Sequence, residues 1–363
     1  MSCVRALARW AVPFSILLGV SIHLGAGAGK LFAAAKPGTI PEIALYQGAD
    51  REEILVAGAK KEREVTLYTS HTWFNTLARA FEKKYPFIKV AVWRSDSPMV
   101  TKRLTEEYTA GRHVADVVDT LLGPLKLLHN EGVFQEYYSP EHRFYTDEVK
   151  TKGKAGGVYF VAERAVYNSL GFNTSLVSVA DAPKTLKDLI DPKLKGKMSI
   201  AGSSTGSRWV GAVLETMGRE FLEKLAQQDI SIHNIAPVAL AGLVVAGEVP
   251  LSPTLIDSNI FVAKRKGAPV EWRPLEPVLA YVGYAGLSKR APHPHAALLF
   301  LDYVCSREGQ ELMIEGGLRS AREGIGVREF KTIDLDAKYP VEELERKLVE
   351  WEKLMHQLFL RGR

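Results

Sequence analysis

Hydrophobic and polar positions alternate along this chain in short blocks separated by longer, wider-spaced ones. EVTLYT, Glu64 to Thr69, places apolar residues at alternate positions and predicts a strand. A helix follows, with Phe74, Leu77 and Phe81 on one face. IKVAVW, Ile88 to Trp93, predicts a second strand, and the loop Arg94-Ser95-Asp96-Ser97-Pro98 opens an amphipathic helix through Tyr108. ADVVDT, Ala115 to Thr120, predicts a third strand, and the next helix carries Leu121, Leu125 and Leu128 and ends around Gly132. Upstream, Asp50 stands where it can cap a helix, DREEILVAGAKKE, with Glu53 at the capping-box position. Strands separated by helical patterns predict the α/β class, with a parallel sheet covered by helices on both faces.

The middle of the chain changes period. A long extended segment runs from Val158 to Val177. Helical and strand patterns then alternate through TLKDLIDP, KMSIAG, a helix from Ser207 to Leu225, IHNIAPVALAGLVVAG, VPLSPT and a helix through Lys266. A second extended segment, Glu271 to Leu287, leads to the helical pattern HPHAALLFLDYVCS. Two extended passages around a central block predict a chain that crosses to a second lobe and returns, with the crossings forming a hinge. The expected limits are 40–168 and 275–330 for lobe one, 169–274 for lobe two, and a C-terminal extension over 331–363. That extension carries VEELERKLVEWEKLMHQLF, whose Leu344, Leu348, Trp351, Met355 and Leu358 share one face and predict a helix docked on one lobe.

Composition adds a compartment. Arg5 and Arg9 precede an apolar stretch from Trp10 to Leu24, and small residues ending in Ala33-Ala34-Ala35 follow. That order predicts a cleaved secretory signal peptide over residues 1–35 and a periplasmic protein. Cys3 precedes the apolar run, so it does not read as a lipid-attachment site. Removing the leader takes away Arg5, Arg9 and Lys30 and no acid, so the formal charge falls from +5 to +2. A chain so near neutrality has no electrostatic footprint for nucleic acid. Cys305 is then the sole cysteine and reads as a small buried apolar residue.

Ligands of parallel sheets sit beyond the carboxyl ends of the strands. Here those ends are Ser70-His71, Ser95-Asp96-Ser97 and Asp119-Thr120, small polar groups suited to hydrogen bonding. The sharpest local signal is Ser199 to Arg208, SIAGSSTGSR, in which a strand runs through Gly and hydroxyl residues into a helix. Unpaired N–H groups at the helix start, Ser203, Ser204, Thr205 and the permanent charge of Arg208 predict an anion site. The same string fits G-x-S-x-G, which leaves open an esterase with Ser204, Asp257 and His293 as its triad. His293 and His295, two apart with no other ligand at metal spacing, read as a helix-capping turn. Asp96, Asp257 and His71 would need the tertiary fold to gather around a hard cation.

The leader, the LYTSH strand end, the double crossing and KRAPHPHAALLFLDYVCSREGQELM resemble the periplasmic solute-binding proteins of ABC importers. The resemblance is strongest to the ferric-iron-type branch of the type 2 fold and spans about Glu64 to Ile325. It implies two α/β lobes, a ligand cleft between them, closure on the ligand, delivery to a membrane permease, and a monomer without a cofactor or catalytic activity. Iron-binding members carry two adjacent tyrosines in lobe two, and the matching positions here are Asp257 and Ser258. His71 falls near that branch's first-lobe histidine. The chain therefore reads as a member that exchanged metal for a small anionic solute: a carboxylate, phosphonate or phosphate ester. Ferric iron held by altered ligands with a bridging anion is the alternative. The expected ligand-binding set is Ser70, His71, Ser95, Asp96, Ser97, Thr120, Ser203, Ser204, Thr205, Arg208, Thr254, Asp257 and Tyr284, with no metal ligands.

Overall fold

A computed structural model describes residues 37–325 and 330–360. The expected leader lies outside them.

Two short helices open the described chain, α1 (Ile40–Leu45) and α2 (Arg51–Glu62). The expected capping box at α2 is not made: Asp50 accepts instead from the Tyr46 hydroxyl at 2.7 Å. Then the predicted alternation appears. β1 (Glu64–Thr69), α3 (Phe74–Lys84), β2 (Lys89–Arg94), α4 (Ser97–Thr109), β3 (Val117–Leu121) and α5 (Leu122–Asn130) lie within a residue or two of their expected limits. β1 pairs in parallel with both β2 and β3. Short strands β4 (Phe134–Gln135) and β5 (Lys150–Lys152) lead to the long β6 (Val158–Asn173).

The second half holds β7 (Ser199–Ala201), α6 (Ser204–Met217), α7 (Arg219–Ala226), β8 (Ser231–His233), α8 (Pro237–Ala246), β9 (Leu251–Ile256), α9 (Asp257–Arg265) and β10 (Val270–Arg273). The helix expected from Ser207 to Leu225 is thus two helices. Gly218, at φ +81°, breaks it in a conformation that a side chain resists. The chain returns through β11 (Val278–Ser288), α10 (Pro294–Cys305), α11 (Arg307–Glu315), β12 (Arg319–Ser320), β13 (Thr332–Ile333), α12 (Leu335–Lys338) and α13 (Val341–Phe359). The second extended segment is also divided, because Pro274 and Pro277 between β10 and β11 cannot donate to a ladder.

β6 joins the two halves. Its first part, Phe160 to Tyr167, pairs antiparallel with β11, which in turn pairs with β3. Its second part, Asn168 to Asn173, pairs with β9 and β10. The main ladder is therefore continuous and curled, in the order β10-β6-β11-β3-β1-β2, while β7 and β8 form a separate parallel pair. The lobe built on β1–β3 and the lobe built on β7–β10 share the strand that connects them. The sheet is also mixed: β1, β2 and β3 meet the parallel expectation, as does the short β11–β13 pair, while the strands paired to β6 run antiparallel to it.

α10 is buried nearly all round, consistent with the unbroken apolar run ALLFLDYVC. The Asp116 carboxylate accepts from the His293 N–H at 2.7 Å and pairs with its Nδ1 at 2.9 Å. Glu62 does the same for His295 and also accepts from the Ala296 N–H at 2.8 Å. The His-x-His turn is thus an acid-satisfied helix start, as its spacing suggested. Cys305 is buried and its thiol pKa is pushed up by that burial. Among the described residues no helix is long and apolar enough to cross a membrane.

Candidate functional site

A cavity of about 430 Å³ opens where the two lobes face each other. One wall comes from the strand ends: Ser70, His71 and Thr72 after β1, Arg94, Asp96 and Ser97 after β2, and Arg164 and Val166 on β6. The other comes from Gly202 to Thr205 and Arg208 at the start of α6, Asn234 to Val238 entering α8, and Ile256 and Asn259 at the start of α9. Tyr281 of β11 closes it from below, with its hydroxyl 3.4 Å from the Thr205 carbonyl. The N-termini of α4, α6, α8 and α9 all meet this space. Each brings unpaired N–H groups and the positive end of its dipole.

Charge on the lining is lopsided: three arginines against one aspartate. Asp96 is the N-cap of α4 and accepts from the Met99 N–H at 3.1 Å. Arg164 is buried against Asp119 and Glu163. Burial pushes the Glu163 pKa well up, the Arg164 charge opposes the rise, and the Asp119 charge adds to it. Gly283 makes room for that guanidinium, since a Cβ there would lie 2.3 Å from Arg164 Nη1. Arg208 gives its charge to Asp336, with contacts of 2.5 and 3.3 Å. Arg94 is exposed and has no ion pair among the described residues.

His71 is neutral. Burial, then the charges of Arg164 and Arg94, hold its pKa well below the ordinary imidazole value. Its Nδ1 accepts from the Trp73 N–H at 3.2 Å, which places the ring proton on Nε2. His71 therefore serves the cavity as a donor. Ser203 adds a buried hydroxyl with no partner among the described residues.

Eight of the thirteen expected residues line this cavity: Ser70, His71, Asp96, Ser97, Ser203, Ser204, Thr205 and Arg208. Five stand elsewhere. Thr120 is fully buried beneath the wall and donates to Ser97 at 2.8 Å. Ser95 lies at the strand end, where its N–H bonds the Thr69 carbonyl at 3.1 Å. Thr254 is fully buried and accepts from the Ala201 N–H at 2.9 Å, so it ties β9 to β7. Tyr284 packs in the core against Phe160. Asp257 pairs with Arg319 and accepts from the N–H groups of Tyr167 and Ser258 at 3.0 and 2.8 Å.

Arg208 lines the cavity but is not a free gripping charge. The carboxylate that neutralises it comes from far along the chain, which local sequence does not reveal. The sequence reading passed over Arg94 and Arg164. Arg94 heads the loop whose next three residues were selected. Arg164 and Glu163 are adjacent charges inside an otherwise apolar strand, a detectable sign of a buried polar cluster. Asn234, Asn259 and Tyr281 gave no local signal.

The esterase triad is not assembled. Ser204 lines the cavity, Asp257 is committed to Arg319, and His293 to Asp116, and neither of these two lines the cavity. Among the described residues no three His, Cys, Asp or Glu side chains cluster as metal ligands.

A relative in Haemophilus influenzae, described as an uncharacterized protein, is 25% identical over 273 residues, covering 72% of this chain and 78% of that one. Iron-bound HitA from Pseudomonas aeruginosa superposes with a TM-score of 0.63 at 23% identity, covering 80% of this chain and 98% of that one. The periplasmic binding protein AfuA from Actinobacillus pleuropneumoniae, solved with fructose-6-phosphate, superposes at 0.63 and 20% identity, covering 82% and 99%. A substrate-binding protein of an ABC transporter from Agrobacterium tumefaciens reaches 0.68 at 13% identity, covering 81% and 96%. These likenesses establish the type 2 periplasmic-binding-protein fold, with two lobes and a cleft between them. The sequence profile of the bacterial extracellular solute-binding proteins matches residues 65–319, most of the chain, and the protein belongs to that family.

Proposed function

We infer that this is an exported, periplasmic solute-binding protein that captures a small anionic solute in the interlobe cleft and hands it to an ABC importer permease. The carrying observation is the convergence of four helix N-termini, an uncommitted Arg94 and the neutral donor His71 on one cavity. Such a lining supplies donors and positive potential and a single carboxylate. A carboxylate, phosphonate or phosphate ester satisfies it, and 430 Å³ is the size of a small-metabolite site. The lobe limits that accompany this reading are 40–168 with 275–330, and 169–274, closing about the crossings at β6 and β11. The molecule acts as a monomer.

Ferric iron fits the same space less well. A hard trivalent cation asks for anionic oxygen ligands, and the lining offers one carboxylate beside three arginines. His71 would have to give up its Nε2 proton and its bond from Trp73 to become a ligand. The neighbours' own ligands, iron in one and a sugar phosphate in another, span both possibilities.

Native mass spectrometry of the freshly purified protein tests the reading. A retained anionic metabolite is expected. Calorimetry with inorganic phosphate, a hexose phosphate and ferric citrate then separates the classes. Tight ferric binding that is lost on His71→Ala would replace the anion reading with an iron carrier. Stoichiometric acylation of Ser204 by an activated ester would replace it with an esterase.

A further inference from the structure

The family match ends at residue 319, yet the chain goes on to build α12 and α13. Asp336 on α12 is buried and uses both carboxylate oxygens. Oδ2 accepts from Arg208 Nη1 at 2.5 Å, and Oδ1 accepts from Arg208 Nη2 at 3.3 Å. Oδ1 also accepts from the backbone N–H of Gly123 at 3.1 Å. Arg208 belongs to α6, in the lobe of β7–β10, while Gly123 is in the first turn of α5, directly after β3 in the other lobe. One carboxylate therefore holds a helix of each lobe.

The rest of the segment repeats the pattern. α13 packs along α6 and also reaches α5. Trp351 lies over Gly211 and Met355 beside Gly206, so closely that a Cβ at either glycine would crowd it. Lys338 pairs with Glu215 near the end of α6 at 2.5 Å, and Tyr339 bonds the same carboxylate. Leu344 sits against Gly123. A segment docked on α6 alone would ride with one lobe. The bond to Gly123 and its contact with Leu344 fasten it to the other lobe as well. Opening the cleft must then separate a buried carboxylate either from its guanidinium or from the N–H it satisfies, and buried charges strongly oppose losing a partner.

We propose that Asp334 to Phe359 form an interlobe strap that sets the angle between the lobes, with Asp336 as its positioning residue. The strap also keeps Arg208 against the back of the cavity, so the solute meets Arg94 and the helix N-termini rather than a freely swinging Arg208. It acts with or without solute.

Pulsed EPR on the full-length protein tests this. Nitroxides are placed at Lys102→Cys on α4 and Lys224→Cys on α7, both on exposed side chains, with Cys3→Ser and the buried Cys305 left in place. The parent should give one narrow interlobe distance distribution without added solute. Asp336→Asn, which keeps the shape and loses the charge, should broaden it or add a second distance. Glu215→Ala, which removes a contact to α6 only, should leave it unchanged. Identical distributions for the parent and Asp336→Asn would overturn the proposal. Should Asp336→Asn fold poorly, hydrogen exchange of the parent decides: the Gly123 amide should exchange together with the amides of α13, and faster, independent exchange at Gly123 would equally overturn it.

Discussion

Arg94, Arg164 and Arg208 line one cavity, and their partners give them different roles. Arg164 and Arg208 are buried and each neutralises a buried carboxylate, so they serve the fold first. Arg164→Ala strands Asp119 in the interior and should lower stability by about 3–5 kcal/mol in urea unfolding. Arg208→Ala strands Asp336 and should cost a comparable amount. Arg94 is exposed, and its loss strands no partner. Arg94→Ala should leave the melting temperature unchanged and weaken binding of the retained solute about 10- to 100-fold, the scale of one charge-assisted hydrogen bond. Calorimetry of that variant is the direct check, and an unchanged dissociation constant would remove Arg94 from the site. Asp257 falls with the structural pair. Asp257→Ala leaves two backbone N–H groups unsatisfied and Arg319 without its carboxylate, so stability should drop by about 3 kcal/mol while solute affinity holds.

At the scale of elements, periodicity and capping chemistry carried most of the information. The limits of α13 were legible, and of its expected stripe Leu344, Trp351 and Met355 are buried while Leu348 and Leu358 are half-buried. The strand ends Ser70-His71 and Asp96-Ser97, and the Gly-Ser turn before α6, were legible as cavity-lining because short-range geometry places them at strand exits and helix entries. Thr254, Asp257 and Tyr284 were misplaced for the opposite reason. Their surroundings are set by β6, β7 and Arg319, which are remote in sequence. Gly211 shows the same limit. Read alone it is a weak spot in α6, and replacing a helical glycine by alanine should stabilise by roughly 1 kcal/mol. In the fold an added Cβ would lie 2.2–2.5 Å from ring atoms of Trp351. Gly211→Ala should therefore destabilise, by about 1–3 kcal/mol, by pushing α13 off α6. Thermal unfolding reads the sign directly, and a stabilised variant would show that α13 yields easily.

For the whole molecule, acid sets buried groups against one another. His142 is buried, and burial first, then the nearby charge of Lys150, depresses its pKa to about 3. The unfolded chain binds that proton near the ordinary 6.5 while the folded chain refuses it, so stability present above 6.5 is lost as pH falls below it. Asp257 and Asp334 work in the opposite direction. Burial raises each to about 6; Arg319 partly offsets this at Asp257, and the Asp336 charge adds to it at Asp334. The folded chain takes up these protons before the unfolded one does, so each carboxyl adds stability as pH falls from about 6 towards its unfolded value of 3.8. Between pH 7 and pH 5, His142 should cost about 2 kcal/mol and each aspartate should return somewhat over 1 kcal/mol, by the same linkage. The variants therefore separate by sign. His142→Phe should gain about 2 kcal/mol at pH 5 relative to pH 7, compared with the parent's change over that interval. Asp334→Asn should lose a further 1 kcal/mol or so over the same interval. Urea unfolding of the three proteins at the two pH values measures both differences, and equal pH dependence in all three would show that water reaches these groups in the folded state and that their burial does not govern the acid response.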